Sequence, residues 1–259
     1  MSFLKVAGLQ TEIIWEDKKE NFSRIKLLTQ NLEGYDLIIL PETFSTGFTM
    51  RSELFSEELE GETESFLFEL ACKTKSIVGG SWIEKNSTSK PFNTFSLLSP
   101  NGIICRYRKI HPFSYAGEDK VYSSGREVKT FDYKNFRITP LICYDLRFPE
   151  TFREVVGKTE IYLVIANWPA SRIFAWLSLL KARAIENQAY VIGVNRVGIA
   201  GRKEKIYHNG YSSYFTPWGE EKIVTSEQQD LLSVIISLPK LEQFRKEFPY
   251  LQDIKKINF

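Results

Sequence analysis

Residues 136–150 read FRITPLICYDLRFPE, a short apolar run that reaches Cys143 and gives way to a charged turn containing a proline. A short, continuous apolar run is typical of a strand that is buried on both faces. Such runs alternate with helix-like segments along the chain, which is the pattern of one α/β domain. The predicted strands are residues 3–9, 35–40, 76–83, 136–143, 161–166 and 190–195, and the predicted helices are residues 17–33, 62–75 and 174–188.

The sequence also predicts antiparallel hairpins. FNTFSLL (92–98) and IICRYR (103–108) flank Asn101-Gly102, and Asn-Gly between two β-rich runs is a strong hairpin signal. Three further strand-like segments close the chain, at residues 211–215, 222–224 and 231–238. Hairpins mixed with strand–helix units do not fit a simple parallel doubly wound sheet, so we predict a layered α/β sandwich with its helices outside.

Composition excludes several classes of protein. The 259 residues carry 34 Lys and Arg against 32 Asp and Glu, so the net charge of +2 gives no reason to bind nucleic acid. Three cysteines make no disulfide framework, which indicates a reducing, cytoplasmic location. We expect neither a secretory signal nor a membrane span. Two histidines and three scattered cysteines contain no ligand-spaced pair, so we expect no metal site, and no motif for a cofactor is present.

Three strand ends carry reactive side chains. Glu42 follows YDLIILP, Lys109 ends IICRYRK, and Cys143 ends RITPLIC. A thiol attacks a carbonyl or nitrile carbon when a neighbouring base removes its proton, and an ammonium group stabilises the oxyanion that forms. Each residue alone also has a plain structural interpretation, because a free cysteine is often buried and inert.

The sequence around these three residues favours the catalytic interpretation over the structural one. The blocks LPETF (40–44), RKIH (108–111) and ICYDLRFPE (142–150) stand in the order and at the separations found in the nitrilase, or carbon–nitrogen hydrolase, superfamily, which the chain resembles. The resemblance implies a four-layer α-β-β-α sandwich, with residues 1–259 forming one domain. It also implies that Glu42 is the general base, Lys109 the oxyanion stabiliser and Cys143 the nucleophile of a cysteine-dependent amidase.

The same resemblance adds two further site residues. The family has a second glutamate between its lysine and its cysteine, and Glu118 in AGED (116–119) stands at that place, with Asp119 as a rival. A second carboxylate near Lys109 would keep its ammonium group charged. In this family the amide N–H that follows the nucleophile, here that of Tyr144, helps to form the oxyanion hole.

Several blocks resemble the omega-amidase branch of the family. They are TFSTGFTM (43–50), AGE (116–118), CYDLRFPE (143–150), NWP (167–169) and FP (248–249). Enzymes of that branch hydrolyse the terminal amide of 2-oxoglutaramate or 2-oxosuccinamate to the acid and ammonia, through a cysteine thioester. The alternative is another carbon–nitrogen hydrolase with the same Glu-Lys-Cys site, such as an aliphatic amidase, an N-carbamoyl amidohydrolase or a nitrilase.

A substrate of this kind is a small-molecule amide with a carboxylate at its far end, so its pocket needs a fixed cation. Arg172 is the candidate and Arg147 its rival, although a structural ion pair beside the cysteine is the favoured interpretation of Arg147. Phe44, Phe48 and Trp168 are candidate pocket walls, and ordinary core packing is the alternative for each.

The sequence also allows two rival hypotheses about function and a prediction about assembly. A Cys–His hydrolase would use His111, and a non-catalytic scaffold protein would not need the four catalytic residues. The family resemblance implies a homodimer that uses helix 174–188 and the tail 239–259. Six side chains of the tail are too apolar to be left exposed to solvent. They are Phe248, Tyr250, Leu251, Ile254, Ile257 and Phe259.

Overall fold

The structure of the protein, a computed structural model, describes residues 3–202 and 204–255. Within those residues the strands are β1 (Phe3–Gln10), β2 (Leu37–Ile39), β3 (Ile77–Glu84), β4 (Phe92–Ser99), β5 (Gly102–Arg108), β6 (Phe131–Tyr133), β7 (Phe136–Ile142), β8 (Ile161–Ala166), β9 (Tyr190–Asn195), β10 (Val197–Ala200), β11 (Ile206–Asn209), β12 (Ser213–Phe215), β13 (Glu221–Ile223) and β14 (Asp230–Ser237). The α-helices are α1 (Lys18–Leu28), α2 (Ser52–Phe55), α3 (Glu62–Thr74), α4 (Glu118–Val121), α5 (Pro149–Arg153), α6 (Ile173–Asn187) and α7 (Leu238–Glu247). Short 3₁₀ turns lie at Ser114–Ala116, Cys143–Arg147, Ala170–Arg172 and Tyr250–Asp253.

Two six-stranded sheets carry the fold. Their strand orders are β14-β1-β2-β3-β4-β5 and β13-β12-β9-β8-β7-β6, and β10 and β11 form a separate pair. Each large sheet contains three neighbouring parallel strands, β1-β2-β3 in the first and β7-β8-β9 in the second. Antiparallel strands complete both sheets, including the predicted hairpin of β4 and β5, in which Ser99 pairs with Gly102.

The period-2 alternation of buried side chains produces four layers. In β2, Leu37 and Ile39 enter a core shared by both sheets, whereas Ile38 contributes to a second core with α1 and α3. On the other side, α6 covers the second sheet with Trp176, Leu180 and Ala184. A Cβ atom at Gly8 would lie 2.8 Å from Val194 Cγ2, so a larger residue in β1 would press against the facing sheet. The predicted α-β-β-α sandwich is confirmed.

Two of the differences between the predicted and the observed elements concern α1 and the β10–β11 pair. Asp17 caps α1 as predicted, accepting from the backbone N–H of Glu20, but the helix ends at Leu28 rather than at Glu33. After Thr29 the α-helical pattern gives way to tight turns, because the N–H of Gln30 donates to the Leu27 carbonyl and that of Leu32 to the Thr29 carbonyl. The β10–β11 hairpin was not predicted, since a glycine and four charged residues interrupt its apolar pattern.

The described part of the chain ends against α6. Gln188 Nε2 donates to the Phe248 carbonyl, and the Tyr250 hydroxyl donates to the Ile185 carbonyl. Phe248 is nevertheless 60% exposed and Ile254 49% exposed. The remaining tail residues of the dimer prediction, Ile257 and Phe259, lie outside the described residues. Within the described ranges, no helix is both long enough and apolar enough to cross a membrane.

Candidate active site

Four strand ends bring the polar residues of the site together. Glu42 follows β2 across Leu40-Pro41, Lys109 follows β5 directly, and Cys143 follows β7. Asn167 follows β8, the parallel neighbour of β7. Because β7 and β8 are parallel, their carboxyl ends meet at one edge of the second sheet, where polar groups can converge. The backbone N–H of Asn167 reaches across to the Glu42 carboxylate, so the two sheets meet at this point.

A buried ammonium group lies at the centre of the site. Lys109 Nζ donates to Glu42 Oε1 at 3.0 Å and to Glu118 Oε1 and Oε2 at 3.1 and 2.8 Å. The three side chains are at most 1% exposed. Glu118 also accepts from the Phe113 N–H, which fixes it at the start of α4. The neighbouring Asp119 is exposed, so Glu118 rather than its rival reaches the lysine.

The Glu42 carboxylate is held by donors on both oxygens. Oε1 accepts from Lys109 Nζ at 3.0 Å and from Asn93 Nδ2 at 2.8 Å. Oε2 accepts from the Asn167 backbone N–H at 2.8 Å and, more weakly, from Asn167 Nδ2 at 3.4 Å. These contacts fix the orientation of the carboxylate, as the role proposed for it requires.

Burial and charge set the protonation states. Burial lowers the pKa of Lys109, but attraction to Glu118 and Glu42 outweighs it, so that the pKa is raised well above its usual value. Burial, followed by the nearby Glu42 charge, raises the pKa of the Cys143 thiol well above its usual value. The pKa of Glu118 is raised by burial, which outweighs the lowering effect of Lys109. The resting site therefore pairs a lysine ammonium with a protonated thiol.

The nucleophile candidate sits on a strained turn. Cys143 has φ of +48°, in a region that non-glycine residues rarely adopt, where the chain leaves β7 for a 3₁₀ turn. Asp145 is fully buried and accepts from the Ile142 N–H at 3.0 Å, from the Tyr107 hydroxyl at 2.7 Å and from the His111 N–H at 3.0 Å. This carboxylate therefore stabilises the turn and links it to the segment that carries Lys109.

Tyr144 provides a backbone donor beside the thiol. It is the second residue of the 3₁₀ turn that begins at Cys143. The first N–H groups of a helix have no intrahelical acceptor, because no carbonyl of the helix precedes them. This position is compatible with the oxyanion-hole role that the family resemblance implies for Tyr144, and that role stays a prediction.

Cys143 lies on the wall of a cavity of about 820 Å³. Phe48, Trp168 and Arg172, all predicted from the sequence, line this cavity. Phe44 does not, and that prediction is wrong. Its ring is fully buried and packs against Phe22 and Phe66, with centroids 6.2 and 6.1 Å away. The Phe44 ring instead fills the apolar core between the first sheet and the helices α1 and α3.

Two arginines face the cavity without a carboxylate partner among the described residues. The Arg147 guanidinium carbon lies 5.0 Å from the centre of the Trp168 ring, and that of Arg172 lies 5.3 Å from the Phe113 ring. Both arginines and both rings line the cavity. The structural ion pair favoured for Arg147 is absent from the described part of the chain. Its guanidinium is instead available to an anion, as is that of Arg172.

The histidine of the rival hypothesis has a different partner. His111 Nδ1 pairs with Asp145 Oδ1 at 2.9 Å, and the ring stacks on Phe148 with centroids 3.9 Å apart. His111 lies outside the cavity lining, whereas Cys143 lies within it. The structure therefore gives His111 no place beside the thiol, which disfavours the Cys–His hypothesis built on it.

Sequence reasoning missed two buried amides, Asn93 and Asn167. Both donate to Glu42, and both are at most 7% exposed. Asn167 could have been found, because it follows a correctly predicted strand in the same way as the three catalytic candidates. Asn93 lies at the second position of β4 and carries no such signal, since its role depends on the pairing of distant strands.

The sequence of the chain matches the family model for carbon-nitrogen hydrolase over residues 5–246. The protein belongs to this family. The omega-amidase YafV of Yersinia enterocolitica is 38% identical over 99% of this chain and 98% of its own length. The 2-oxoglutaramate amidase of Bacillus subtilis is 30% identical over 97% of each chain. A crystal structure of a CN-hydrolase superfamily protein from Xanthomonas campestris covers 100% of both chains with a TM-score of 0.94 and 32% identity.

The family and its amidase-named relatives show what kind of enzyme this carbon–nitrogen hydrolase is. It hydrolyses carbon–nitrogen bonds, and dependence on a cysteine is consistent with its family. The predicted resemblance to the omega-amidase branch is likewise confirmed, since omega-amidases and a 2-oxoglutaramate amidase align over nearly the full chain.

Proposed function

We propose that the protein is an omega-amidase that hydrolyses the terminal amide of a 2-oxo dicarboxylate monoamide, such as 2-oxoglutaramate or 2-oxosuccinamate. One observation carries the proposal: a cavity that has Cys143 on its wall also contains the two arginines without carboxylate partners among the described residues, Arg147 and Arg172. A thiol beside a buried base suits the amide end of such a substrate, and a guanidinium suits its carboxylate end. The names of the relatives support the same substrate class.

The first half of the reaction forms a thioester. Glu42 takes the thiol proton as Sγ attacks the amide carbon, and the carbonyl π electrons move to oxygen. The Lys109 ammonium and the Tyr144 N–H stabilise that oxyanion. As the oxyanion collapses, the carbon–nitrogen bond breaks and Glu42 returns the proton to the nitrogen, which leaves as ammonia. Because the resting pKa of the thiol is raised, proton removal accompanies the attack instead of preceding it.

The second half hydrolyses the thioester at the same site. Glu42 takes a proton from a water molecule, whose oxygen attacks the thioester carbon while Lys109 again stabilises the oxyanion. The carbon–sulfur bond then breaks, the proton returns to Sγ, and the dicarboxylic acid leaves. Glu118 touches no reacting atom in this scheme. Its charge, 2.8 Å from Nζ, holds Lys109 as an ammonium group throughout the cycle.

A substrate panel tests the proposal. Ammonia release is measured for 2-oxoglutaramate, 2-oxosuccinamate, glutamine, a simple nitrile and a carbamoyl amino acid. The proposal predicts the highest kcat/KM for one of the two 2-oxo acids, and a preference for the nitrile or the carbamoyl compound would contradict it. Cys143→Ala is expected to reduce turnover by roughly 10⁴-fold or more, as loss of a catalytic nucleophile does. Cys72→Ala is the matched control, because Cys72 lies exposed on α3.

A further inference from the structure

We propose that Asn167 determines the specificity for amides, because its side-chain oxygen accepts a hydrogen bond from the nitrogen of the scissile amide. The inference rests on the proposed function, and it adds a substrate contact to a residue that already holds Glu42. It would make the enzyme discriminate between an amide and the ester of the same acid.

The orientation of the Asn167 side chain is fixed by its acceptors. Nδ2 lies 2.7 Å from the Glu42 carbonyl oxygen, 3.4 Å from Glu42 Oε2 and 3.2 Å from Thr43 Oγ1. The opposite orientation would place Oδ1 against two oxygens that cannot donate, so the assignment of nitrogen and oxygen is unambiguous. The backbone N–H of Asn167 also donates to Glu42 Oε2 at 2.8 Å, which anchors the residue on both sides.

The side-chain oxygen is left without a donor. Oδ1 of Asn167 is buried and has no hydrogen-bond partner in the described part of the chain. Nearly all buried acceptors in native proteins have a partner, so an exception requires an explanation. Asn167 is only 7% exposed, yet it lines the same cavity as Cys143. Six other buried polar atoms of the described residues also lack a partner, but Asn167 is the one residue with an unpaired carboxamide oxygen that lines this cavity. We therefore assign the missing donor to the substrate.

The reaction supplies that donor at the right place. Asn167 contacts Glu42 Oε2, and the Glu42 carboxylate returns the proton to the departing nitrogen. A primary amide nitrogen carries two N–H groups. During collapse it gains the proton from Glu42 while the carbon–nitrogen electron pair moves to it, so it leaves as ammonia. A positively polarised N–H binds a carbonyl oxygen more strongly in the transition state than in the ground state, and such a bond accelerates the step. An ester oxygen has no N–H to donate to Oδ1.

Asn93 provides a matched control. Its Nδ2 donates to the other Glu42 oxygen at 2.8 Å, and its own Oδ1 is likewise buried without a partner among the described residues. However, Asn93 is 1% exposed and lies outside the cavity lining. Removal of either amide disturbs Glu42, but only removal of the Asn167 amide also takes an acceptor away from the substrate.

The test compares kcat/KM for 2-oxoglutaramate and for the 5-methyl ester of 2-oxoglutarate, since this constant covers the steps up to release of ammonia or methanol. Asn167→Ala is expected to lower the amide-to-ester ratio by about tenfold, the value of one charge-assisted hydrogen bond. Asn93→Ala is expected to lower both constants and leave the ratio within about twofold. An unchanged ratio in Asn167→Ala, or an equal fall of the ratio in both variants, would overturn the inference.

A second variant and a second pair of substrates allow the test to give a clear result even if the first choice fails. If Asn167→Ala does not fold by near-ultraviolet circular dichroism, Asn167→Ser replaces it, because its shorter hydroxyl keeps the position polar without reaching as far as Oδ1. If the wild-type enzyme releases no ammonia from 2-oxoglutaramate or from 2-oxosuccinamate, the proposed substrate class is wrong. The ratio is then measured on the amide that the enzyme does hydrolyse and on the corresponding methyl ester, so the two failures are distinguishable.

Discussion

Replacement of Arg172 by methionine should weaken the recognition of a substrate carboxylate and leave the chemistry intact. The guanidinium carbon lies 5.3 Å from the centre of the Phe113 ring, and no carboxylate among the described residues pairs with it. Methionine keeps an unbranched apolar stem against that ring and removes only the charge. A half-buried, charge-assisted hydrogen bond contributes about 2 kcal/mol. At about 1.4 kcal/mol for each factor of ten, kcat/KM for 2-oxoglutaramate should fall by roughly 30-fold.

The assay is ammonia release from 2-oxoglutaramate and from pentanamide, a neutral amide of the same chain length. Arg172→Met should change kcat/KM for pentanamide by less than about threefold, because that substrate has no anion to lose. Arg147→Met, with its guanidinium over Trp168, is measured in parallel and shows whether the two arginines share the carboxylate. An equal fall for both substrates would refute the reasoning, since it would mean that Arg172 supports the structure of the site rather than the substrate.

Three shorter predictions concern other parts of the molecule. Glu118→Gln removes a charge that raises the pKa of Lys109, so the alkaline limb of the kcat/KM profile should move to lower pH, and an unmoved limb would contradict the role given to Glu118. His111→Gln should lower kcat by less than about tenfold, because its ring pairs with Asp145; a loss of three orders of magnitude would restore the Cys–His hypothesis. Light scattering at micromolar concentration should show a dimer that Phe248→Asp weakens, because Phe248 is 60% exposed; a monomeric wild-type protein would contradict the assembly.

The fold was predictable where local signals agreed with the global arrangement. The runs 161–166 and 190–195 became β8 and β9 with the same bounds, because uninterrupted apolar residues suit the centre of a parallel sheet. The Asn101-Gly102 turn fixed the β4–β5 hairpin for an equally local reason. The β10–β11 hairpin has no such signal, since both of its strands have only four residues and the charged segment between them carries no hairpin turn motif.

The site residues that directly follow a strand were predictable from the sequence. Glu42, Lys109 and Cys143 each follow an apolar run. The structure places Lys109 Nζ 3.0 Å from Glu42 Oε1, and the charges of both groups act on the pKa of the Cys143 thiol. Proximity in sequence failed for Phe44, because its ring packs against Phe22 and Phe66 in the helix-side core and does not reach the cavity. It also failed for Asn93, whose contact with Glu42 joins residues 51 positions apart.

The proposed reaction depends on an acyl-enzyme, a thioester formed on Cys143. Rapid acid quenching during turnover of 2-oxoglutaramate, followed by peptide mapping, measures that species directly. The account predicts an acyl adduct on the peptide that contains Cys143 and none on Cys72 or Cys105, because only Cys143 lines the cavity. Glu42→Gln, which lacks the base for both half-reactions, should accumulate no adduct. Steady ammonia release with no adduct on Cys143, or with an adduct on another cysteine, would contradict the account.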